Sequence, residues 1–156
     1  MDQAMVNVNW CVSLLSGLAS AGVTRVVISP GSRSTPLVIA ADLHPALSCH
    51  VLVDERSAAF FALGMAKSLG LPVALVCTSG SAPANWYPAI IEASQSFVPL
   101  VLITADRAWE VQSCGANQTL VQLTLFGDQV NSVHALPPAA ASPTSQSRLH
   151  SLGRQL

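Results

Sequence analysis

Apolar positions recur with two periods along this chain, and each change of period marks an element boundary. Val8, Cys11, Val12, Leu15, Leu18 and Ala19 fall at helical spacing, which predicts an amphipathic helix capped by Asn7 and closed by Gly22. Arg25-Val26-Val27-Ile28-Ser29 reads as a short buried strand. Pro30-Gly31-Ser32-Arg33-Ser34-Thr35-Pro36 is then a turn into a second helix, with Thr35 as its cap and Pro36 in its first turn. The unit of strand, loop and helix repeats. Strand 50–53 leads to helix 55–69, closed by Gly70 and Pro72. Strand 73–77 leads to a helix from about Pro83, and strand 98–104 to a helix near 118–125.

Strands separated by helices imply right-handed crossovers, and hence an α/β fold with a mostly parallel sheet and helices on both faces. Ser132-Val133-His134-Ala135-Leu136 is suited to a last edge strand, and Pro137-Pro138-Ala139-Ala140-Ala141-Ser142-Pro143 has linker composition. Leu149, Leu152 and Leu156 begin a helical stripe that the chain end cuts off. The expected organisation is one α/β domain over 1–136, with 137–156 a linker and the start of a truncated helix. Such a pattern is that of a domain taken from a longer chain.

Composition narrows the function classes. A chain of 156 residues suits one core, burying roughly 70% of its unfolded surface. Hydrophobic residues make up 51% and charged residues 10%, so part of the surface is expected to be an interface. Seven Lys and Arg against eight Asp and Glu leave no basic footprint for nucleic acid or an anionic membrane. The longest apolar tracts stop short of the ~20 residues that span a bilayer, and the N-terminus lacks a signal-peptide pattern. Cys11, Cys49, Cys77 and Cys114 are widely spaced and show no zinc spacing with histidine, so they read as reduced thiols of a cytoplasmic protein.

Chemistry gathers in the loops that follow the strands. Cys49-His50-Val51-Leu52-Val53-Asp54-Glu55-Arg56 is an apolar run ending on two acids and an arginine, where a helix starts at once. Asp54 and Glu55 suit a cap and a first helical turn; in a parallel sheet they also lie at the edge where ligands bind. Ser29-Pro30-Gly31-Ser32-Arg33-Ser34 offers a glycine for close backbone approach and an arginine able to grip a carboxylate, or else an ordinary turn with a surface arginine. Cys77-Thr78-Ser79-Gly80-Ser81-Ala82-Pro83 is made of small residues against which a flat ring could pack, although Gly80 also suits a plain turn. Thr104-Ala105-Asp106-Arg107 brings a second arginine, readable also as a surface pair with Asp106, and Cys114-Gly115-Ala116-Asn117-Gln118 follows it. Neither G-x-G-x-x-G nor G-x-x-x-x-G-K-[ST] occurs, so a standard dinucleotide site or P-loop has no support, and G-x-S-x-G is absent too.

Taken together, SPGSRSTPL at 29–37, DERSAAFFALG at 54–64, CTSGSAPANWYPAIIEA at 77–93, and TADR with CGANQ between 102 and 118 resemble a known domain. It is the N-terminal, pyrimidine-binding domain of the 2-succinyl-5-enolpyruvyl-6-hydroxy-3-cyclohexene-1-carboxylate synthase family, thiamine-diphosphate enzymes of menaquinone biosynthesis. The resemblance runs in order over nearly all of 5–136, with small departures at Ser81 and Ala108.

The resemblance implies that Glu55 hydrogen-bonds N1′ of the cofactor's aminopyrimidine ring, favouring the imino tautomer that deprotonates thiazolium C2. It implies that Pro30, Gly31 and Thr78 approach the ring, and that Ser32, Arg33, Arg107, Asn117 and Gln118 surround the substrates. Those substrates would be 2-oxoglutarate, which loses carbon dioxide, and isochorismate, to which the resulting four-carbon carbanion adds. Family enzymes hold Mg2+ and the diphosphate through Gly-Asp-Gly and a distant asparagine in a C-terminal domain. Here Gly127-Asp128 is followed by Gln129, so no metal ligand is expected in this chain. The fragment is expected to be inactive alone and to join a homo-oligomer. The alternatives are a non-catalytic interaction module that keeps the fold, or a different thiamine-diphosphate lyase or synthase.

Overall fold

A computed structural model describes residues 2–112 and 114–156. Four strands form a single parallel sheet: β1 (Arg25–Ile28), β2 (Ser48–Val51), β3 (Val73–Cys77) and β4 (Leu100–Thr104), in the order β2-β1-β3-β4. The helices are α1 (Gln3–Ser20), α2 (Thr35–Asp42), α3 (Glu55–Leu69), α4 (Tyr87–Gln95) and α5 (Pro143–Gln155). The α/β class, the parallel sheet and the helices on both faces are as expected. No helix among the described residues is long and apolar enough to cross a membrane.

Strand alternation sorts the core into two layers. Val26, Ile28, Ala74 and Val76 face α1 and α2 and meet Leu15, Leu18, Ala40 and Ala41. Val27, Val73, Leu75 and Cys77 face α3 and α4 and meet Ala58, Ala62, Trp86 and Ile90. All five residues of β3 are buried, as expected of a strand bonded on both edges and covered on both faces. The alanines of α3 let it lie close to the sheet.

Several boundaries differ from the sequence pattern. The first helix starts at Gln3, because Asp2 rather than Asn7 is its cap, accepting from the Ala4 amide at 3.3 Å. Ser34 rather than Thr35 holds the cap position of α2, and its hydroxyl turns back to the Gly31 carbonyl at 2.9 Å. The second strand begins at Ser48, set by its register with Arg25, and ends before Leu52, leaving Val53 81% exposed. The helix expected near 118–125 is absent. Gln118 takes φ 54°, and its carbonyl and the Gln122 side chain bond across to the sheet edge instead. The strand expected at 132–136 pairs with no other strand, and its apolar side chains Val133 and Leu136 stay exposed.

Helix α5 runs over Pro143–Gln155, capped by Ser142, and it packs along α1. The crossing is close because both sides are glycine: a Cβ on Gly17 would reach the Gly153 Cα at 3.0 Å and collide with the His150 carbonyl. Trp10 adds a bond from its indole N–H to the Ser145 hydroxyl at 3.1 Å, and Leu149 is buried.

Two stability tests follow. Gly153→Val should lose about 1–3 kcal/mol in urea unfolding, since the added branch has no space; Gly64→Ala, in open space on α3, should gain roughly 0.5–1 kcal/mol. An unchanged midpoint for Gly153→Val would rule out the close α1–α5 crossing. Asp54 caps α3 by accepting from the Ser57 amide at 2.8 Å, and that bond holds its carboxyl below the ordinary value of 3.8. A depressed carboxyl stabilises the fold above its unfolded value and loses that contribution as pH falls through the folded one. The urea midpoint should therefore fall between about pH 6 and about pH 3 by less in Asp54→Asn than in the wild type; equal falls would rule out the cap.

Candidate active site

Because all four strands run the same way, the loops that follow them meet at one edge of the sheet. The ladder carries on past the strand ends: Ser29 N donates to Val76 O at 2.9 Å, Leu52 N to Ile28 O at 3.0 Å, and Ala105 N to Cys77 O at 3.1 Å. After β1 the chain leaves for α2 on one face, and after β3 it leaves for α4 on the other. A crevice opens between neighbouring strands whose connections part in this way, and that is where open α/β sheets bind ligands. Here it lies between Pro30-Gly31 and Thr78-Ser79.

The walls of the crevice are close. A Cβ on Gly31 would collide with the Thr78 side chain, lying 2.8 Å from Cγ2 and 2.9 Å from Oγ1. Gly31 itself is extended, so the requirement there is space rather than a left-handed backbone. Gly80 needs both: its φ is 79°, and a Cβ would lie 2.9 Å from the Gln118 Cα. Pro30, Gly31, Ser32, Thr35 and Val38 line an open depression of about 420 Å³ beside the crevice.

Glu55 enters from β2. Asp54, fully exposed, spends its carboxylate on the Ser57 amide, and Glu55 follows it as the first residue of α3, half-buried. Among the described residues, no hydrogen bond holds the Glu55 carboxylate. Its charge nevertheless reaches Cys77 at the end of β3: burial first, and Glu55 second, push that thiol far up. Glu55 shares the helix face of Ala58, Ala59 and Ala62, which pack against the sheet. Arg56, next on the helix, is exposed.

The remaining candidates lie on the outer loops. Ser32 and Arg33 are exposed on a single 3-10 turn, Ser32–Ser34. Arg107 follows β4, half-buried, with its Nε enclosed and without a partner among the described residues. Asp106 does not pair with the Arg107 side chain among those residues; it accepts from the Arg107 backbone amide at 2.7 Å. Asn117 and Gln118 are exposed, and Gln118 is anchored through its carbonyl, which accepts from the Ser79 hydroxyl at 2.9 Å. The edge thus collects Glu55, Pro30, Gly31, Thr78, Ser32, Arg33, Arg107 and Gln118, with Asn117 on the loop beside it.

Two residues matter to this arrangement that the sequence pattern did not single out. Ser79 ties the 115–118 loop over the crevice, and Gln122 ties the following loop to the Ala105 carbonyl at 3.0 Å. Both are long-range bonds from ordinary polar residues, and no local spacing announces them.

Comparison with known proteins agrees with this geometry. Residues 12–131 match the family model described as "Thiamine pyrophosphate enzyme, N-terminal TPP binding domain". A 2-succinyl-5-enolpyruvyl-6-hydroxy-3-cyclohexene-1-carboxylate synthase from Dechloromonas aromatica is 51% identical over 156 residues, covering 99% of this chain and 28% of the relative. The synthase of the same name from Geobacillus kaustophilus is 58% identical over 118 residues, 76% of this chain and 20% of that protein. The chain therefore spans about a quarter of the length of these relatives. In fold it is similar to benzoylformate decarboxylase from Polynucleobacter necessarius, with a TM-score of 0.68 at 21% identity over 78% of this chain and 23% of that one. The parallel sheet, the crevice between its first and third strands and the match over most of the sequence agree: the chain belongs to the thiamine pyrophosphate enzyme family, as its N-terminal TPP-binding domain, in the form found in 2-succinyl-5-enolpyruvyl-6-hydroxy-3-cyclohexene-1-carboxylate synthases.

Proposed function

We propose that this chain is the pyrimidine-binding part of a synthase that joins 2-oxoglutarate, with loss of carbon dioxide, to isochorismate in menaquinone biosynthesis. The supporting observation is that Glu55 starts the helix after β2 while Gly31 and Thr78 follow β1 and β3 at the same edge of the sheet, in a chain about half identical to such synthases. The residues present suit an aminopyrimidine ring. Pro30, Gly31 and Ser32 line an open depression that a flat group can enter, and Glu55 offers a carboxyl group that accepts no hydrogen bond among the described residues.

The chemistry supplied by bound thiamine diphosphate is an electron sink for the loss of carbon dioxide from a 2-oxo acid. Glu55 hydrogen-bonds the ring nitrogen N1′ and holds a proton there, which an amide in its place cannot exchange. Pro30, Gly31 and Thr78 pack against the ring. Both substrates are dicarboxylates, and Arg33 and Arg107 grip and orient them through paired N–H bonds, as planar guanidinium groups do. Ser32, Asn117 and Gln118 add uncharged polar contacts.

A divalent ion has no counterpart set here: no group of three or more His, Cys, Asp or Glu side chains is gathered among the described residues. The Mg2+ ligands belong, on this reading, to a further domain, and no step is assigned to a metal in this chain. A neighbouring copy would cover the apolar surface of α3, where Phe60 and Phe61 are 44% and 43% exposed. The isolated chain is expected not to turn over substrate.

The test joins this chain to the remaining length of the Dechloromonas relative and measures carbon dioxide release from 2-oxoglutarate with isochorismate present. Release dependent on thiamine diphosphate is expected. Glu55→Gln should lower it by about 100-fold to 10,000-fold while the protein stays folded. A folded, cofactor-loaded wild type without release would overturn the substrate assignment. Undiminished release by Glu55→Gln would overturn the role of the carboxyl group.

A further inference from the structure

Gln118 stands in a backbone conformation that its residue type disfavours. Its φ is 54°, and outside glycine the described residues adopt such a positive value only here and at Phe97. A residue held there stores strain, which persists only where its surroundings fix it. Two neighbours do so. The Ser79 hydroxyl donates to the Gln118 carbonyl at 2.9 Å, across 39 positions of sequence, and Ser79 is 1% exposed, so the hydroxyl donates from a buried position. Gly80, next along the loop after β3, has no side chain, and Gln118 occupies the space beside it: a Cβ on Gly80 would lie 2.9 Å from the Gln118 Cα and 3.1 Å from its Cβ.

The latch acts on the backbone and leaves the side chain alone. Gln118 is exposed, and its side-chain amide makes no hydrogen bond among the described residues. Its root is therefore fixed beside Gly80, two residues past Thr78, while its amide is open to a ligand at that edge. We propose that Ser79 is a positioning residue, which holds Gln118 in the left-handed conformation from which its amide meets the substrate. The inference rests on the substrate role proposed for Gln118 and adds the device that presents it. A loose loop could bring the same amide to the edge, but each encounter would then cost the ordering of the backbone. With that backbone fixed beforehand, only the rotamers of the Gln118 side chain are ordered when substrate arrives.

Two readouts separate the latch from its use. In the chain alone, without ligand, Ser79→Ala should shift the carbonyl 13C resonance of Gln118, which loses a donor, and change the amide–Hα coupling that reports its φ. In the protein completed with the relative's remaining length, Ser79→Ala should raise KM for 2-oxoglutarate or isochorismate about tenfold, with kcat and C2 proton exchange of thiamine diphosphate close to wild type. In a Gln118→Ala background, Ser79→Ala should have no further effect on KM, because the two residues act as one unit. Should Ser79→Ala fail to fold, Ser79→Cys takes its place, with similar size and a weak donor, and the same outcomes apply. An unmoved Gln118 resonance overturns the latch. An unchanged KM in Ser79→Ala, or an equal rise with and without the Gln118 amide, overturns positioning. An unchanged KM in Gln118→Ala, beside a moved resonance, overturns the substrate role and with it the inference, and is thereby told apart from a failure of the latch.

Discussion

The pairing of β1 with β3 is the constraint on which the rest of this structure depends. Four residues of each strand are matched in parallel, from Arg25 with Val73 to Ile28 with Val76, and the chain leaves the two strands on opposite faces of the sheet. The parted connections open a crevice at the carboxyl edge without any residue having to be carved away. The two loops touch there: the Thr78 side chain already fills the space that a Cβ on Gly31 would need. A slip of β1 by one residue against β3 would turn β1 over, sending Val27 toward α1 and Ile28 toward α3. Packing and site therefore share one cause.

Two adjacent acids show how local geometry divides roles. Asp54 lies outside the helix in an extended conformation, and its short side chain folds back onto the Ser57 amide. Glu55, one residue on, is already helical and points inward to the sheet, where its charge meets Cys77. Exchange of their side-chain lengths would serve neither purpose, since capping needs a short chain and reaching the crevice a longer one. The helix end that Asp54 satisfies is thus the platform that aims Glu55.

Much of this was legible in the sequence, and the misses have physical reasons. Helix α3 matched its expected range because Asp54 and Gly70 are strong local signals at its two ends, with Gly70 in the left-handed conformation at φ 65°. Strand β3 was equally plain, as a run of apolar residues between Pro72 and Thr78. The 118–125 segment misled because its apolar spacing is helical, while its structure is decided by bonds from Ser79 and from Gln122 to Ala105, which span the fold. Residues 132–136 have strand composition but no strand beside them. The packing of α5 was not legible, because it is held by the glycine contact with α1 rather than by a broad apolar stripe. At the site, the residue types and the edge they share followed from the strand order. The Gly31–Thr78 contact needed coordinates.

The apolar surface around α3 belongs to the same account. Val53 is exposed just before α3, and Phe60 and Phe61 are exposed on it, the helix that Glu55 begins. The central claim is that a cofactor ring enters the crevice between β1 and β3, beside Glu55. Hydrogen exchange read by mass spectrometry, on the chain completed with a relative's remaining length, tests it most directly when thiamine diphosphate is added. Slower exchange within this domain should be confined to 29–34, 54–58 and 78–81; protection at the opposite edge of the sheet, or none in these three segments, would contradict it.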